Sequence, residues 1–448
     1  MGAVMNAGGV QRVILTTLLI TYFLIPTTLP WVGWSPHGFV LLCALAWYAA
    51  TDLKECSLEK SWPFLLVPLA VGASWLGVRG DADNGMVRSV LFGTSIAFLI
   101  SQYLRGEDGI RAVVLLSWTV VAAAVLMSGL FVGAVLGAGV TQFDPFAAAF
   151  GQSSYHSALF FMVAIPAILF IAVRTGTVML FLVLFPLWTA LILSGMRGVW
   201  LGAVGAVVIF GVASKHFWQT AITMGIAVLA FASMTALTEQ YLGGLNDMEA
   251  ARVGASHSGW PVGRNEFGPP GDLTAATIAA SNLAAKTRSG AGLDKVFEEL
   301  TTSGRLGYWL AGVRMWATAP ILGVGPGNFS RNSEHYSRHV GPRRDSEKSF
   351  DAHNMFVSVL AELGLVGFGA VALLMAIPVD RWCRRWRQEP PKREALALVG
   401  AVFVGLTVVG LTWDIHMQRI WWIGLGLMWA ATVPQESGVV PETVESAG

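Results

Sequence analysis

The residues of this sequence that could do chemistry are arginines placed at the ends of apolar segments. Arg197 lies in the stretch SGMRGVW (194–200), where small neighbours leave room around the guanidinium group. Arg305 opens the stretch RLGYW, and Arg314 follows it nine residues later. Guanidinium groups bind phosphate oxygens through paired hydrogen bonds, so two or three of them would hold a diphosphate and stabilise its charge as it leaves. Interfacial anchoring and pairing with lipid headgroups are the alternative interpretations.

His353 lies in the stretch DAHN (351–354), between a polar stretch and the next apolar segment. An imidazole titrates near neutrality and can take a proton from a hydroxyl group. Asp351 and Glu347 are close enough in sequence to orient the ring, and Asn354 is a further candidate for orienting it or for contacting an acceptor. A helix cap or an interfacial side chain is the simpler interpretation of a histidine at this position.

Neither a nucleotide site nor a metal site is expected. The glycine-rich stretch GVGPGNF (323–329) is not followed by the GK[ST] of a Walker loop. The long loop that we predict to be external, 238–352, contains no Asp-x-Asp motif, so the arginines are expected to take the place of a metal. The formal net charge of +1 argues against a nucleic-acid partner. We therefore expect no cofactor.

The elements that must position these residues are membrane helices. The chain has 448 residues, of which 54% are hydrophobic and 13% charged, and the apolar runs have the roughly 20-residue length that crosses a bilayer. The fold class predicted is an all-α integral membrane protein, in contact with membrane lipids, with about twelve transmembrane helices. The predicted spans are 13–30, 37–51, 62–78, 88–104, 112–136, 156–173, 177–194, 197–213, 217–237, 353–379, 394–412 and 418–433.

The distribution of Lys and Arg sets the orientation, because these residues favour short cytoplasmic loops. With the N-terminus inside, the inner loops collect most of them, including the cluster at 381–393. We expect no disulfide or metal site from the three cysteines, and we predict that two of them, Cys56 and Cys383, lie in inner loops. The predicted organisation is helices 1–9 in 1–237, an external periplasmic loop at 238–352, helices 10–12 in 353–433 and a cytoplasmic tail at 434–448.

The long external loop has two parts of different composition. Residues 243–303 are rich in Gly, Ala, Ser and Asn, which predicts irregular chain with one short helix near 273–287. An amphipathic helix is predicted to begin near Gly304 and to end at Ala319-Pro320. The glycine-rich turn and a mixed acidic and basic stretch then lead to His353.

Four stretches together resemble the O-antigen ligase and polymerase superfamily in order and spacing. They are SGR with Trp309, APILGVGPGNF (319–329), AHNMF (352–356) and LAELGLVG (360–367). SGMRG (194–198) is also similar to the arginine motif of that family. The similarity covers most of 150–430. It implies a fold of about twelve helices in the bacterial cytoplasmic (inner) membrane, with an active site that faces the periplasm.

The resemblance implies a metal-independent, inverting glycosyltransferase whose donor is an undecaprenyl-diphosphate-linked glycan. Arg197 and Arg305 would bind the diphosphate, Arg314 is a further candidate, and His353 would act on the acceptor hydroxyl. The chain departs from the family where many members have an asparagine, since it has FGQSSYH at 150–156. Gln152 and His156 are therefore candidates for acceptor contacts or for interfacial positions.

The acceptor is left open by the sequence. Ligation of O-antigen to lipid A–core is the first hypothesis, a polymerase that extends the glycan itself is the second, and transfer to a serine or threonine of a protein is the third. A non-catalytic glycolipid transporter is the alternative class. Charged residues that line a path across the membrane would favour the transporter, whereas in this sequence they concentrate outside the predicted spans.

Overall fold

The structure is a computed structural model that describes residues 58–77, 84–103, 113–127, 129, 154–194, 196–236, 305–336, 351–389 and 392–432. The first two predicted spans, most of the predicted external loop, including the helix near 273–287, and the tail at 434–448 lie outside these ranges.

All regular elements in the described ranges are helical, which confirms the all-α prediction. The first seven α-helices are α1 (Leu58–Gly77), α2 (Asn84–Tyr103), α3 (Val113–Met127), α4 (Ser154–Thr175), α5 (Leu180–Leu193), α6 (Arg197–Ser214) and α7 (Phe217–Ala236). They are followed by α8 (Arg305–Thr318), α9 (Phe329–Tyr336), α10 (Met355–Gln388), α11 (Arg393–Gly410), a 3-10 turn (Ile415–Met417) and α12 (Arg419–Thr432).

Five of these helices are long and apolar enough to cross a membrane, namely α4, α6, α7, α10 and α11. Helices α1, α2, α3 and α5 contain shorter apolar stretches of 10–17 residues. Large apolar side chains also point outward, such as Trp218, which is 81% exposed, and Leu182, which is 70% exposed. Such exposure suits contact with lipid rather than water. The chain is therefore a multi-pass membrane protein, and the total of twelve spans stays a prediction.

Helices α6 and α11 cross at glycines, where their backbones come into close contact. A Cβ atom on Gly202 would lie 2.7 Å from the carbonyl oxygen of Gly405, and one on Gly405 would lie 2.9 Å from that of Gly202. Small residues let membrane helices approach to backbone contact. Elsewhere in the core, the tryptophans of α12 are buried, and Trp429 packs its ring against Phe64 of α1.

Helix α10 differs from its prediction in two ways. It is broken at Gly364, where φ is 63°, and it continues to Gln388, so that the basic cluster up to Arg387 and Cys383 lie on its last turns rather than in a loop. Hydrogen bonds explain the extension: the indole N–H groups of Trp382 and Trp386 donate to the carbonyls of Leu396 and Ala213. Helix α9 forms in the mixed acidic and basic stretch that follows the glycine-rich turn, where no individual helix was predicted.

Candidate functional site

Two helix ends are joined by Asn354, the residue that caps α10. Its side-chain oxygen accepts hydrogen bonds from the backbone N–H groups of Phe356 and Val357, at 3.0 and 3.2 Å. Its amide nitrogen donates to the carbonyl of Leu411 at the end of α11, at 3.1 Å. The side chain is thus committed to joining α10 to α11. These bonds join Asn354 to backbone groups and not to the ring of His353, so a role in orienting that ring or in contacting an acceptor stays a prediction.

Arg197 begins α6 at this same end of the bundle. The next residue, Gly198, packs so tightly on Thr412 that a Cβ atom would overlap its hydroxyl. Thr412 directly follows Leu411, to which Asn354 is bonded, so the start of α6 and the start of α10 flank one short segment. Arg197 itself is exposed. The structure therefore brings Arg197 and His353 to the same end of the bundle.

The ring of His353 lies between two aromatic rings from different segments. It meets Tyr308 edge-on at a centroid distance of 6.2 Å and Trp413 at 5.5 Å. Tyr308 is in the first turn of α8, three residues after Arg305, so the start of α8 also reaches this end. Burial raises the pKa of the Tyr308 phenol, which keeps that group neutral near physiological pH. The result is a half-buried imidazole with aromatic walls.

The backbone of His353 adopts a left-handed conformation, with φ of 49°. A residue other than glycine pays about 1–2 kcal/mol for this conformation. Its N–H donates to Oδ2 of Asp414, at 3.0 Å, in the segment between α11 and the 3-10 turn. Strain of this kind persists where surrounding contacts over-determine the backbone, and it is frequent at active sites.

Two carboxyl groups near His353 have raised pKa values. Burial, reinforced by the charge of Asp351, raises the pKa of Asp414 to about 7, against opposing hydrogen bonds from His353, Ser358 and Asn354. Desolvation also raises the pKa of Asp351, and the charge of His353 partly offsets this effect. Asp351 is therefore close enough to act on the ring electrostatically, whereas Asp414 holds the backbone.

Arg314 is placed differently from the other predicted arginines. It is exposed on α8, and its Nη1 donates to the carbonyl of Tyr336 at the end of α9, at 2.9 Å. This contact ties α8 to α9 and neutralises a helix C-terminus, where cations are favourable. Arg305 is described as the first residue of α8 without its side chain. Gln152 lies outside the described residues, and His156 is described only as part of α4.

Sequence reasoning missed four residues around the site: Tyr308, Trp413, Asp414 and Glu362. Glu362 is a buried acid inside a membrane-length helix, and an ionisable residue in such a segment was the available signal. Asp414 lies between two apolar segments, and only the fold shows that it reaches His353. In the ranges the structure describes, no group of three or more His, Cys, Asp or Glu residues is placed to hold a metal ion.

Comparison with known proteins matches part of the chain to one family model. No curated protein matches the chain. Residues 180–372 match the family model described as O-antigen ligase, a range that contains Arg197, Arg305, Arg314 and His353. The chemistry of this family is glycosyl transfer of the ligase or polymerase type. The resemblance to the O-antigen ligase superfamily that the motifs indicated is thus confirmed, over residues 180–372 of this chain.

Proposed function

We propose that this protein transfers a glycan from an undecaprenyl-diphosphate carrier to an acceptor hydroxyl group, and that the acceptor is lipid A–core. The observation that carries the proposal is the position of His353. Its ring contacts Tyr308 of α8, the helix that begins at Arg305. It also contacts Trp413, which follows Thr412, and the start of α6 packs on Thr412. A base for the acceptor and two arginines for a diphosphate thus share one end of the bundle.

The donor side is suited to an anion for two reasons. Arg197 and Arg305 are each the first residue of a helix, α6 and α8. The first turn of a helix has backbone N–H groups without intrahelical partners and a partial positive charge, both of which favour phosphate. Guanidinium groups at the same places would add paired hydrogen bonds. Arg314 would join them only by giving up its bond to the carbonyl of Tyr336.

On the acceptor side, His353 acts as the general base. The acceptor oxygen attacks the anomeric carbon, its proton passes to the imidazole, and the bond between that carbon and the diphosphate oxygen breaks. The electron pair leaves with the diphosphate, whose charge the arginines stabilise in place of a metal. Attack from the side opposite the leaving group inverts the anomeric configuration. Asp351 favours the protonated ring through its charge.

The direction in which the site faces follows from the opposite end of the same helices. Helix α6 begins at Arg197, and near its other end the carbonyl of Ala213 accepts a hydrogen bond from Trp386. Trp386 lies in the basic last turns of α10, between Arg385 and Arg387. Because clustered Lys and Arg favour the cytoplasmic side, the end that carries His353 belongs to the periplasm.

A purified assay tests the transfer chemistry. The protein is incubated with undecaprenyl-diphosphate-linked glycan and lipid A–core, and the product is followed by gel mobility and mass spectrometry. We expect His353→Ala to bind the donor but to lose turnover by at least roughly 100-fold, the scale of general-base catalysis. Turnover that survives this change would contradict the assignment, as would a requirement for added magnesium. A transporter or a scaffold would give no product with either protein.

A deletion strain tests the acceptor. Bare lipid A–core with polymer accumulating on the carrier is the result expected for a ligase. Single repeat units attached to lipid A–core would instead indicate a polymerase, and the loss of glycan from a surface protein would indicate protein glycosylation. The matched family covers glycosyl transfer of both the ligase and the polymerase type, so this experiment decides between them.

A further inference from the structure

The turn between α8 and α9 is docked into the break of α10. At the break, each of the two segments supplies two N–H groups and two carbonyls to the other. The hydrogen bonds run from Val324 to Ala361 (2.9 Å), from Gly325 to Glu362 (3.0 Å), from Leu365 to Pro320 (2.9 Å) and from Val366 to Ile321 (3.2 Å). A break in an apolar helix exposes backbone groups that must find partners, and here the turn supplies them.

Glycines make this docking possible. Gly323 and Gly364 both have positive φ angles, of 70° and 63°, which other residues adopt only at a cost. A Cβ atom on Gly323 would overlap the backbone of Glu362, and one on Gly364 would overlap the carbonyl of Ile321. The two backbones are therefore in direct contact. We call this contact between the turn at 320–325 and the break of α10 the joint, and it leaves no space for a side chain at either glycine.

The side chain of Glu362 closes the joint. It is 4% exposed, and its Oε1 accepts a hydrogen bond from the backbone N–H of Phe329 at 2.9 Å; the N–H of Gly327 also contributes. Phe329 is the first residue of α9, so the carboxyl group satisfies an N–H that the helix itself cannot. Ser74 of α1 adds a hydroxyl, 2.6 Å from the carbonyl of Leu322 and 3.0 Å from that of Glu362.

Helix α8 is carried by this joint. It ends at Thr318, directly before the docked turn, and its buried face packs on α10, where a Cβ atom on Gly312 would overlap the side chain of Val357. The position of α8 on α10 in turn sets where Arg305 begins relative to His353. Glu362 itself is too far away for proton transfer, because the seven residue steps from Met355 to Glu362 span about 10 Å of helix.

We propose that Glu362 is a positioning residue for glycan transfer. By fastening the turn between α8 and α9 into the break of α10, its side chain fixes the helix that begins at Arg305 relative to His353. The inference rests on the proposed function, in which those two residues act on donor and acceptor. It assigns to Glu362 a role through geometry, with no contact to either substrate.

A disulfide rescue separates positioning from chemistry. The background is a chain in which Cys43, Cys56 and Cys383 are replaced by alanine. In it, Glu362→Ala is combined with Gly312→Cys and Val357→Cys, two positions whose side chains would face each other within the short Cβ separation that a disulfide needs. We expect Glu362→Ala alone to lower kcat by roughly 100-fold, as small misplacements of reacting groups do. We expect oxidation of the cysteine pair to raise the kcat of this variant at least about tenfold, and reduction of the pair to reverse that increase.

The outcomes are decisive in both directions. An oxidised triple variant that stays as slow as the reduced one would overturn the positioning role, provided that the same cysteine pair leaves a chain with Glu362 active. Glu362→Gln, which keeps an oxygen acceptor for Phe329, is expected to retain more activity than Glu362→Ala. The reverse order would also contradict the proposal.

Amide hydrogen exchange keeps this test independent of the proposed reaction. In Glu362→Ala we expect faster exchange at Val324, Gly325 and Phe329 and along α8, with α6 unchanged. Exchange of α8 that does not respond would overturn the role of Glu362 even if the enzyme assay succeeded. Conversely, loosened α8 in a protein whose unmodified form transfers no glycan would contradict the proposed function alone.

Discussion

The backbone N–H of His353 donates to Oδ2 of Asp414, 61 residues further along the chain. This contact supports the left-handed conformation of His353 from a distant part of the chain. The segment between α11 and α12, which lies outside the matched family range, therefore helps to position the backbone that carries the imidazole. Asp414 is thus expected to affect activity through the carboxyl oxygen that accepts this hydrogen bond.

We predict that Asp414→Ala lowers glycan transfer by roughly 10- to 100-fold, because the backbone of His353 is released and the ring is misplaced. Asp414→Asn retains an oxygen that can accept the same hydrogen bond, so its turnover is expected to stay within about threefold of the unmodified protein. Steady-state assays on purified protein measure both. Asp380→Ala, which removes an exposed acid paired with Arg384 on α10, is the matched control and should have no effect. Equal losses of turnover in the alanine and asparagine variants would refute the role of Asp414 as a hydrogen-bond acceptor for the backbone of His353.

Stability should depend on pH through the same carboxyl group. Burial raises the pKa of Asp414 from 3.8 to about 7. Between these values the folded protein holds a proton that the unfolded chain has lost, so the free energy of unfolding falls as pH rises, by up to about 4 kcal/mol over the window. Asp414→Asn has no titrating carboxyl group at this position and therefore lacks this pH dependence. We expect its Tm, relative to the unmodified protein, to increase from pH 5 to pH 8.

The Tm of Asp414→Asn must be compared with that of the unmodified protein at each pH, because His416 changes stability with pH in the opposite direction. Burial lowers its pKa to about 4, so the folded state binds fewer protons than the unfolded chain between pH 4 and 6.5, and stability rises with pH there. Both proteins contain His416, and the difference in Tm removes its contribution. A difference that stays flat from pH 5 to 8 would show that Asp414 is not buried as the structure has it.

The strain at His353 gives a test that does not depend on catalysis. Both His353→Gly and His353→Ala lose the imidazole, but only glycine adopts a φ of 49° without cost. We therefore expect the glycine variant to be more stable than the alanine variant, by about 1 kcal/mol. At Leu373, an ordinary exposed position of α10, the order should reverse, because glycine is the poorer helix former. Thermal unfolding followed by tryptophan fluorescence measures both pairs.

The helices could be predicted from sequence because each one follows from local composition. Ten of the predicted spans coincide with described helices, from α1 to α7 and from α10 to α12. The helix that begins at Arg305 was also expected, since Ala319-Pro320 ends it. An apolar run of fixed length and its flanking polar residues contain the information for such an element, with no need for tertiary contacts.

What the sequence did not predict depends on contacts between distant residues. The run from 353 to 379 reads as one uninterrupted helix, and its break at Gly364 exists because the turn at 320–325 supplies hydrogen bonds. Helix α9 is too short and polar to be detected by its pattern, and it is capped by Glu362 from another helix. Asp414 likewise becomes part of the site only when α10 and α11 are joined through Asn354.

The contact between α6 and α11 is the basis of the last prediction. A Cβ atom on Gly202 would lie within 2.8 Å of Gly405, Val409 and Met162, whereas one on Gly205, a turn later, would meet only Val408 at 3.7 Å. Gly202→Ala must therefore separate the two helices and displace Arg197 five residues away. We expect it to destabilise the protein by about 1–3 kcal/mol, the usual cost of overpacking, and to weaken donor binding.

Gly205→Ala is the matched control for that variant, because it adds the same methyl group to the same helix where space allows it. We expect its stability to be unchanged or raised by up to about 1 kcal/mol, as alanine favours the helix. Thermal unfolding and binding of a fluorescent lipid-diphosphate glycan measure the two effects separately. If Gly202→Ala lowered the Tm but left donor affinity intact, the prediction that this helix crossing positions Arg197 for binding the diphosphate would be wrong.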